Sequence, residues 1–273
     1  MKVKMTNYRT LLRAHGTSAE LAVNSLKTKS QEESYPAKNL KRARRAEANH
    51  FPSLPIGETP ESMEQERISL LAEQQKRNNR QSIKEKMAKT FGYRRQEIVH
   101  QRPSIEGLLE RWPALFHMEE VNAEFMRITT FPLETKFLAQ LDKHSTKLLQ
   151  VIRSRGGVVK QKTTGILQVL DEEAEAGELE QATMAIFVIG KEDQFHRPKD
   201  VKVLIEGTEV LSGLPSVATA FAMLFGLIYA LNLRYPKELQ STFEVVQKVL
   251  MELEGKKMSP KVNRLRTQLF IPE

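Results

Sequence analysis

The chain has 273 residues, of which 40% are hydrophobic and 28% charged, enough to bury a sizeable core as one large domain or two small ones. It contains no cysteine, which excludes disulfides, thiolate nucleophiles and cysteine zinc sites. The net charge of +8 is uneven: residues 1–102 hold 21 Lys/Arg against 11 Asp/Glu, and the remainder holds 21 against 23. That is the pattern of a basic arm or helix on a near-neutral body.

Residues 1–57 read as a short helix followed by a basic irregular linker. Tyr8, Leu11 and Leu12 have helical spacing, Gly16 can end the helix, and Pro36, Pro52 and Pro55 disfavour regular structure beyond it. The first 30 residues hold no apolar run of the signal-peptide kind, and the chain has no Asn-x-Ser/Thr sequon. An intracellular location, cytoplasmic or nuclear, is the expectation.

Residues 58–155 read as a helical region. Thr59 is an N-cap with Pro60 at the first helical position, and Glu73 and Arg77 stand four apart as a charge pair. Asn78-Asn79 predicts a weak point or break. Ile83, Met87 and Phe91 then recur every fourth residue. Helices are predicted over 105–111, 121–128 and 133–152, with Pro113 interrupting the first. Phe137, Leu138, Leu141, Leu148 and Ile152 form the stripe of the last, and Gly156-Gly157 ends it.

Residues 156–182 read as a loop with an acidic stretch, and 183–273 as a small α+β domain. The run 185–189 predicts a buried strand. Val201, Val203 and Ile205 alternate as a second strand, which is expected to continue through a bend or bulge at Gly207 into 208–211. Helices are predicted near 217–233 and 236–254, the second with Phe243, Val246, Val249, Leu250 and Leu253 on one face and Gly255 as its cap. The segment 217–233 is about 17 residues of uncharged chain, shorter than the roughly 20 a spanning helix needs, and reads as a buried central helix rather than a membrane segment. Ala218, Ala222 and Gly226, spaced by four, would let a neighbouring helix approach closely. The fold class is therefore α+β and helix-dominated: a helical N-terminal body, and a C-terminal domain of helices covering a small sheet.

Several phrases in the chain carry a family resemblance. They include Tyr-Pro-Ala-Lys-Asn-Leu-Lys (35–41), Lys-Glu-Lys-Met-Ala-Lys-Thr-Phe (84–91), Tyr-Arg-Arg-Gln-Glu-Ile (93–98) and Arg-Trp-Pro-Ala-Leu-Phe (111–116). Ile-Glu-Gly-Thr (205–208), Tyr-Ala-Leu-Asn-Leu (229–233) and Tyr-Pro-Lys-Glu-Leu (235–239) follow in order, then Phe-Glu-Val (243–245) and Ser-Pro-Lys-Val (259–262). Over about residues 7–270 the chain resembles the C-terminal region of vertebrate proteins, abundant in fish, that are described as similar to sterile alpha motif domain-containing protein 3. The resemblance implies a chain without the upstream sterile alpha motif domain, a segment shortened at 165–182, and no catalytic residues to carry over.

Enzyme signatures are nearly absent. There is no His-Glu-x-x-His, Gly-x-Ser-x-Gly or Gly-x-Gly-x-x-Gly. Gly156-Gly157 with Lys160 and Lys162 fails phosphate-loop spacing, because Gln161 stands before Lys162. His117 with Glu119 and Glu120 comes nearest to a metal site, and reads first as a surface histidine beside carboxylates. No catalytic residue, cofactor or metal is expected. The basic clusters are the strongest signal: Lys38, Lys41, Arg42, Arg44 and Arg45, with the composition of a nuclear-import signal or a nucleic-acid-binding arm, and eight Lys/Arg against one Glu over 76–95. On one continuous helix Arg77, Lys84 and Arg95 share a flank that could meet phosphates. The plainer reading is a solvated helix surface whose apolar side packs on the body. Two functions lead, a non-enzymatic scaffold or protein-interaction module and an electrostatic nucleic-acid or chromatin binder, with an enzyme of unrecognised type third and a membrane-anchored protein fourth. The protein partners and the oligomeric state are not legible.

Overall fold

The computed structural model describes residues 41–42, 52–154, 183–189, 200–254 and 258–270. Among these the fold is α+β and helix-dominated. Strand β1 (Lys41–Arg42) is followed by α1 (Pro60–Gln74), α2 (Arg80–Lys89), α3 (Phe91–His100) and α4 (Ile105–Arg111), a 3-10 turn (Pro113–Phe116), α5 (Met118–Thr129) and α6 (Leu133–Arg153). Then come β2 (Met184–Ile189), β3 (Asp200–Ile205), β4 (Thr208–Leu211), α7 (Val217–Ala230) and β5 (Arg234–Tyr235). Helix α8 (Gln240–Val245) runs into a π segment (Val246–Leu250), and α9 (Pro260–Phe270) is last.

Local chemistry explains most boundaries. Thr59 caps α1 with Pro60 behind it: Ser62 N donates to Thr59 Oγ1 at 3.2 Å and Thr59 N donates to Ser62 Oγ at 2.9 Å. Ser104 and Ser216 accept from Gly107 N and Thr219 N at the starts of α4 and α7. The expected break at Asn78-Asn79 is present, with Asn78 in the left-handed region at φ 62°. It shifts one expected contact. Helix α1 ends at Gln74, so Arg77 leaves the helix, and Glu73 pairs instead with Lys76 at 2.7 Å. A second break, not expected, falls at Thr90, whose hydroxyl donates to Lys86 O at 2.7 Å and separates α2 from α3.

The sheet order is β2-β3-β4, all antiparallel. Strand β3 does not continue through Gly207 as expected. Glu206 (φ 52°) and Gly207 (φ 78°) form a two-residue turn that sends β4 back along β3, with Ile205 opposite Thr208. Two successive positive φ values match the right-handed twist of a hairpin. The irregularity in the ladder lies between Val203 and Leu204. Val201, Val203 and Ile205 are buried as the alternation requires, whereas the far end of β2 is open, with Val188 47% and Ile189 43% exposed. The run 185–189 is thus not buried throughout. A second, two-residue ladder pairs Lys41 with Tyr235 and Arg42 with Arg234.

Helix α7 is the axis of the core. Every residue from Ala222 to Ala230 is buried, and the helix packs on α5, α6 and the β2–β3 face. Gly226 makes this possible: a Cβ there would stand 2.7 Å from Val121 Cγ1 and closer still to Leu133 Cδ2. One apolar cluster runs from Leu70 and Met87 through Trp112, Phe125, Val203 and Phe225 to Leu253. Ile83 and Phe91 pack against it, so the apolar side of α2 faces the body as the spacing predicts. A second, small cluster of Val249, Val262 and Leu269 attaches α9. No described helix is long and apolar enough to cross a membrane.

Candidate functional site

Two groups of polar residues organise the helical region. The first is buried. The Arg94 guanidinium meets Glu124 with two bonds, Nε to Oε1 at 3.0 Å and Nη2 to Oε2 at 2.6 Å, and both side chains are 0% exposed. Arg94 also donates to Thr90 Oγ1 and Met87 O, each at 3.0 Å, and lies 5.1 Å from the Trp112 ring centroid. Arg127 completes the group, reaching Glu124 at 2.7 Å and Glu120 at 3.3 Å. Burial works against ionisation of Glu124, but Arg94 and Arg127 hold its pKa below the ordinary value.

The second group is half-buried and joins α1, α3 and α4. Arg111 donates from Nε to Glu97 Oε1 at 2.6 Å and from Nη2 to Glu64 Oε2 at 2.7 Å. Arg67 reaches Glu64 Oε1 at 2.7 Å, Tyr93 OH donates to Glu64 Oε2 at 3.0 Å, and Trp112 Nε1 donates to Glu97 Oε2 at 3.4 Å. The Arg67 bonds first, then those from Arg111 and Tyr93, bring the Glu64 pKa down to about 2. These carboxylates are saturated with donors, which makes them struts between helices rather than acids or bases poised for proton transfer.

The residues singled out for polyanion binding scatter. Arg95 lies in the interior at 0% exposure, donating to Tyr229 O at 3.2 Å and Ala230 O at 3.0 Å, at the C-terminus of α7. A cation suits that end, where the last carbonyls of a helix lack partners. Arg95 therefore does not share a flank with Arg77 and Lys84. The breaks at 75–79 and at Thr90 interrupt the single helix that a shared flank requires. Arg77 and Lys84 are exposed, and among the described residues neither has an ion-pair partner. Their basic neighbours are matched by acids: Lys86 with Glu66 at 2.7 Å, Lys89 with Glu58 at 2.9 Å, and Arg80 with Glu119 at 2.7 Å. Lys41 and Arg42 have backbone placed in β1. Lys38, Arg44 and Arg45 lie outside the described residues, as do Gly16, the 156–182 segment with its glycine-lysine run, and Gly255.

His117, Glu119 and Glu120 do not converge. Glu120 turns inward to Arg127, and Glu119 turns to Arg80. His117 and Glu119 instead line one side of a cleft of about 380 Å³, closed by Glu209 to Leu214. Among the described residues no group of His, Asp and Glu is placed to hold a metal ion.

Sequence reasoning missed the partnership of Arg94 with Glu124. A charged residue one position from an apolar one on a helix reads as surface. The signal available was only the density of Arg and Glu on helices that also carry a full apolar stripe.

The described residues thus make up a helix-rich α+β body braced by internal ion pairs. Residues 63–117, from α1 to the end of the 3-10 turn, match the family model described as sterile alpha motif domain-containing protein 3, helical domain. The chain is similar to that family over the segment that carries the Glu64–Arg111–Glu97 struts. No curated protein and no solved structure matches the chain.

Proposed function

We propose that this chain is a non-enzymatic protein-interaction module working inside the cell, in the cytoplasm or nucleus. The observation that carries the reading is the way segment 63–117 spends its polar groups. Glu64, Arg67, Tyr93, Glu97 and Arg111 satisfy one another, which stiffens α1, α3 and α4 and leaves none of these five free to act as an acid or base. A stiff helical platform presents its outer faces to partners. On α1 the exposed residues Glu61, Gln65, Ile68 and Ala72 recur at helical spacing, with Ile68 47% exposed. A low-charge stripe with one large apolar side chain suits a partner helix.

The test is site-specific photo-crosslinking in cells from position 65 of the intact chain. A discrete protein adduct that disappears with Ile68→Lys is the expected result. Labelling that is diffuse, or indifferent to Ile68→Lys, removes the reading.

A second reading, an electrostatic nucleic-acid or chromatin binder, is supported by the exposed, unmatched Arg77 and Lys84 and by the 38–45 run. The matching of Lys86, Lys89 and Arg80 by carboxylates weighs against it, because fewer cations are left to release counterions. Fluorescence anisotropy with labelled duplex DNA and single-stranded RNA decides. Binding that survives near-physiological salt and weakens when residues 41–45 are neutralised puts this reading first.

A further inference from the structure

Among the described helices, α9 is held differently from the others. Its apolar contacts, Val262, Leu265 and Leu269 against Leu148, Val245 and Val249, form a cluster separate from the main core. It can therefore come away without opening that core. At its far end the His144 ring of α6 meets Phe270 edge-on, with ring centroids 5.0 Å apart. His144 is only 6% exposed, and its Nε2 is buried without a hydrogen-bond partner among the described residues. Gln268 Oε1, also on α9, is buried and unpartnered too. Two unmet polar atoms under one short helix leave its attachment weak.

Two charges of opposite sign act on the His144 ring, Lys143 and Glu252. Lys143 precedes it on α6 and Lys147 follows one turn on. From α9, the Arg266 guanidinium lies 6.0 Å from the Phe270 ring. From the turn after the π segment comes one carboxylate, Glu252, which is paired with Lys136 at 3.3 Å. The Lys248–Glu244 pair of the α8–π unit holds the other end of α9, where Ser259 N donates to Glu244 Oε1 at 2.8 Å.

We propose that α9 is an acid-released latch: it stays docked on α6 while His144 is neutral and detaches when that imidazole takes up a proton. The added charge would sit in a buried apolar seam beside Lys143, with no acceptor among the described residues for its Nε2 proton. Burial first, then Lys143, lower the His144 pKa, and Glu252 opposes them. The docked form thus binds a proton less readily than the released form. Docking is at full strength above the released histidine's value, about 6.5, and weakens as pH falls through the lower, docked value.

Hydrogen exchange on the intact chain tests this, corrected for the intrinsic pH dependence of amide exchange. Protection of amides 262–270 should fall severalfold between about pH 7.5 and about pH 5, while amides 222–230 of α7 stay protected. The midpoint of that fall should coincide with the NMR titration of the His144 ring in the same sample. Unchanged protection, loss in step with α7, or a midpoint more than about one unit from the ring titration each overturns the proposal. In His144→Phe, protection of 262–270 should be independent of pH across the same range. A fall equal to that of the unsubstituted chain also overturns it.

Discussion

Arg94 and Arg95 are adjacent, and both are buried, but they do different jobs. Arg94 neutralises Glu124 inside the helical region, and Arg95 closes the carbonyl end of α7. Removing one partner of the first pair leaves a charge without compensation in the interior. Glu124→Gln should therefore lower stability by about 3–5 kcal/mol, read by urea denaturation. Arg95→Met should also destabilise, yet leave any DNA or RNA affinity unchanged, because the side chain never reaches the surface. Glu64 sets an acid limit. Its folded pKa, about 2, lies below its ordinary value of 4.5. Its contribution is fully present above that ordinary value and is lost as pH falls towards the folded one. Thermal unfolding followed from about pH 6 to about pH 3 should show stability declining over that interval, and the decline should be shallower in Glu64→Gln.

The elements were mostly legible because their signals are local. The Thr59-Pro60 cap, the Asn78 break, helices 105–111 and 133–153, and the alternation of Val201, Val203 and Ile205 all follow from neighbours within one or two turns. What was not legible depends on distant partners. The break at Thr90, whose hydroxyl donates to Lys86 O, and the pairing of Arg94 with Glu124 thirty residues away leave no mark on the local spacing. Arg95 leaves the expected basic flank because it is buried against the end of α7. Helix α9 escaped notice since its stripe of Val262, Leu265 and Leu269 is short and flanked by basic residues. Gly207 was read as a bend within a strand, because a sequence gives no sign of where the next strand will pair. At Gly226, by contrast, small-residue spacing pointed to a close approach, and α5 and α6 supply it. Gly226→Ala should cost about 1–3 kcal/mol of stability, measured by chemical denaturation, since Val121 and Leu133 must shift to admit one methyl group.

Over the whole molecule, the described cations of the basic N-terminal third separate into charges that hold the fold together and charges that face solvent. Lys86, Lys89, Arg94 and Arg95 belong to the first kind, and Arg77 and Lys84 to the second. The double substitution Arg77→Gln, Lys84→Gln should leave stability within about 0.5 kcal/mol of the parent, read by thermal melting. If the chain binds polyanions, the same change should flatten the salt dependence of that binding. Two of the phrases that carry the family resemblance, Tyr93 to Ile98 and Arg111 to Phe116, supply Arg94, Glu97 and Arg111 to the buried and half-buried ion pairs.

The bond from Arg95 to Tyr229 spans 134 residues of chain. During synthesis at about 5–20 residues per second, the guanidinium waits on the order of ten seconds for its acceptor to leave the ribosome. Through that interval the inner faces of α5 and α6 also lack α7, their central packing partner. The first half of this protein is thus born before it can be finished, with apolar surface and a bare cation open to chaperones. Nascent chains stalled before residue 217 should engage them far more than chains released after residue 253.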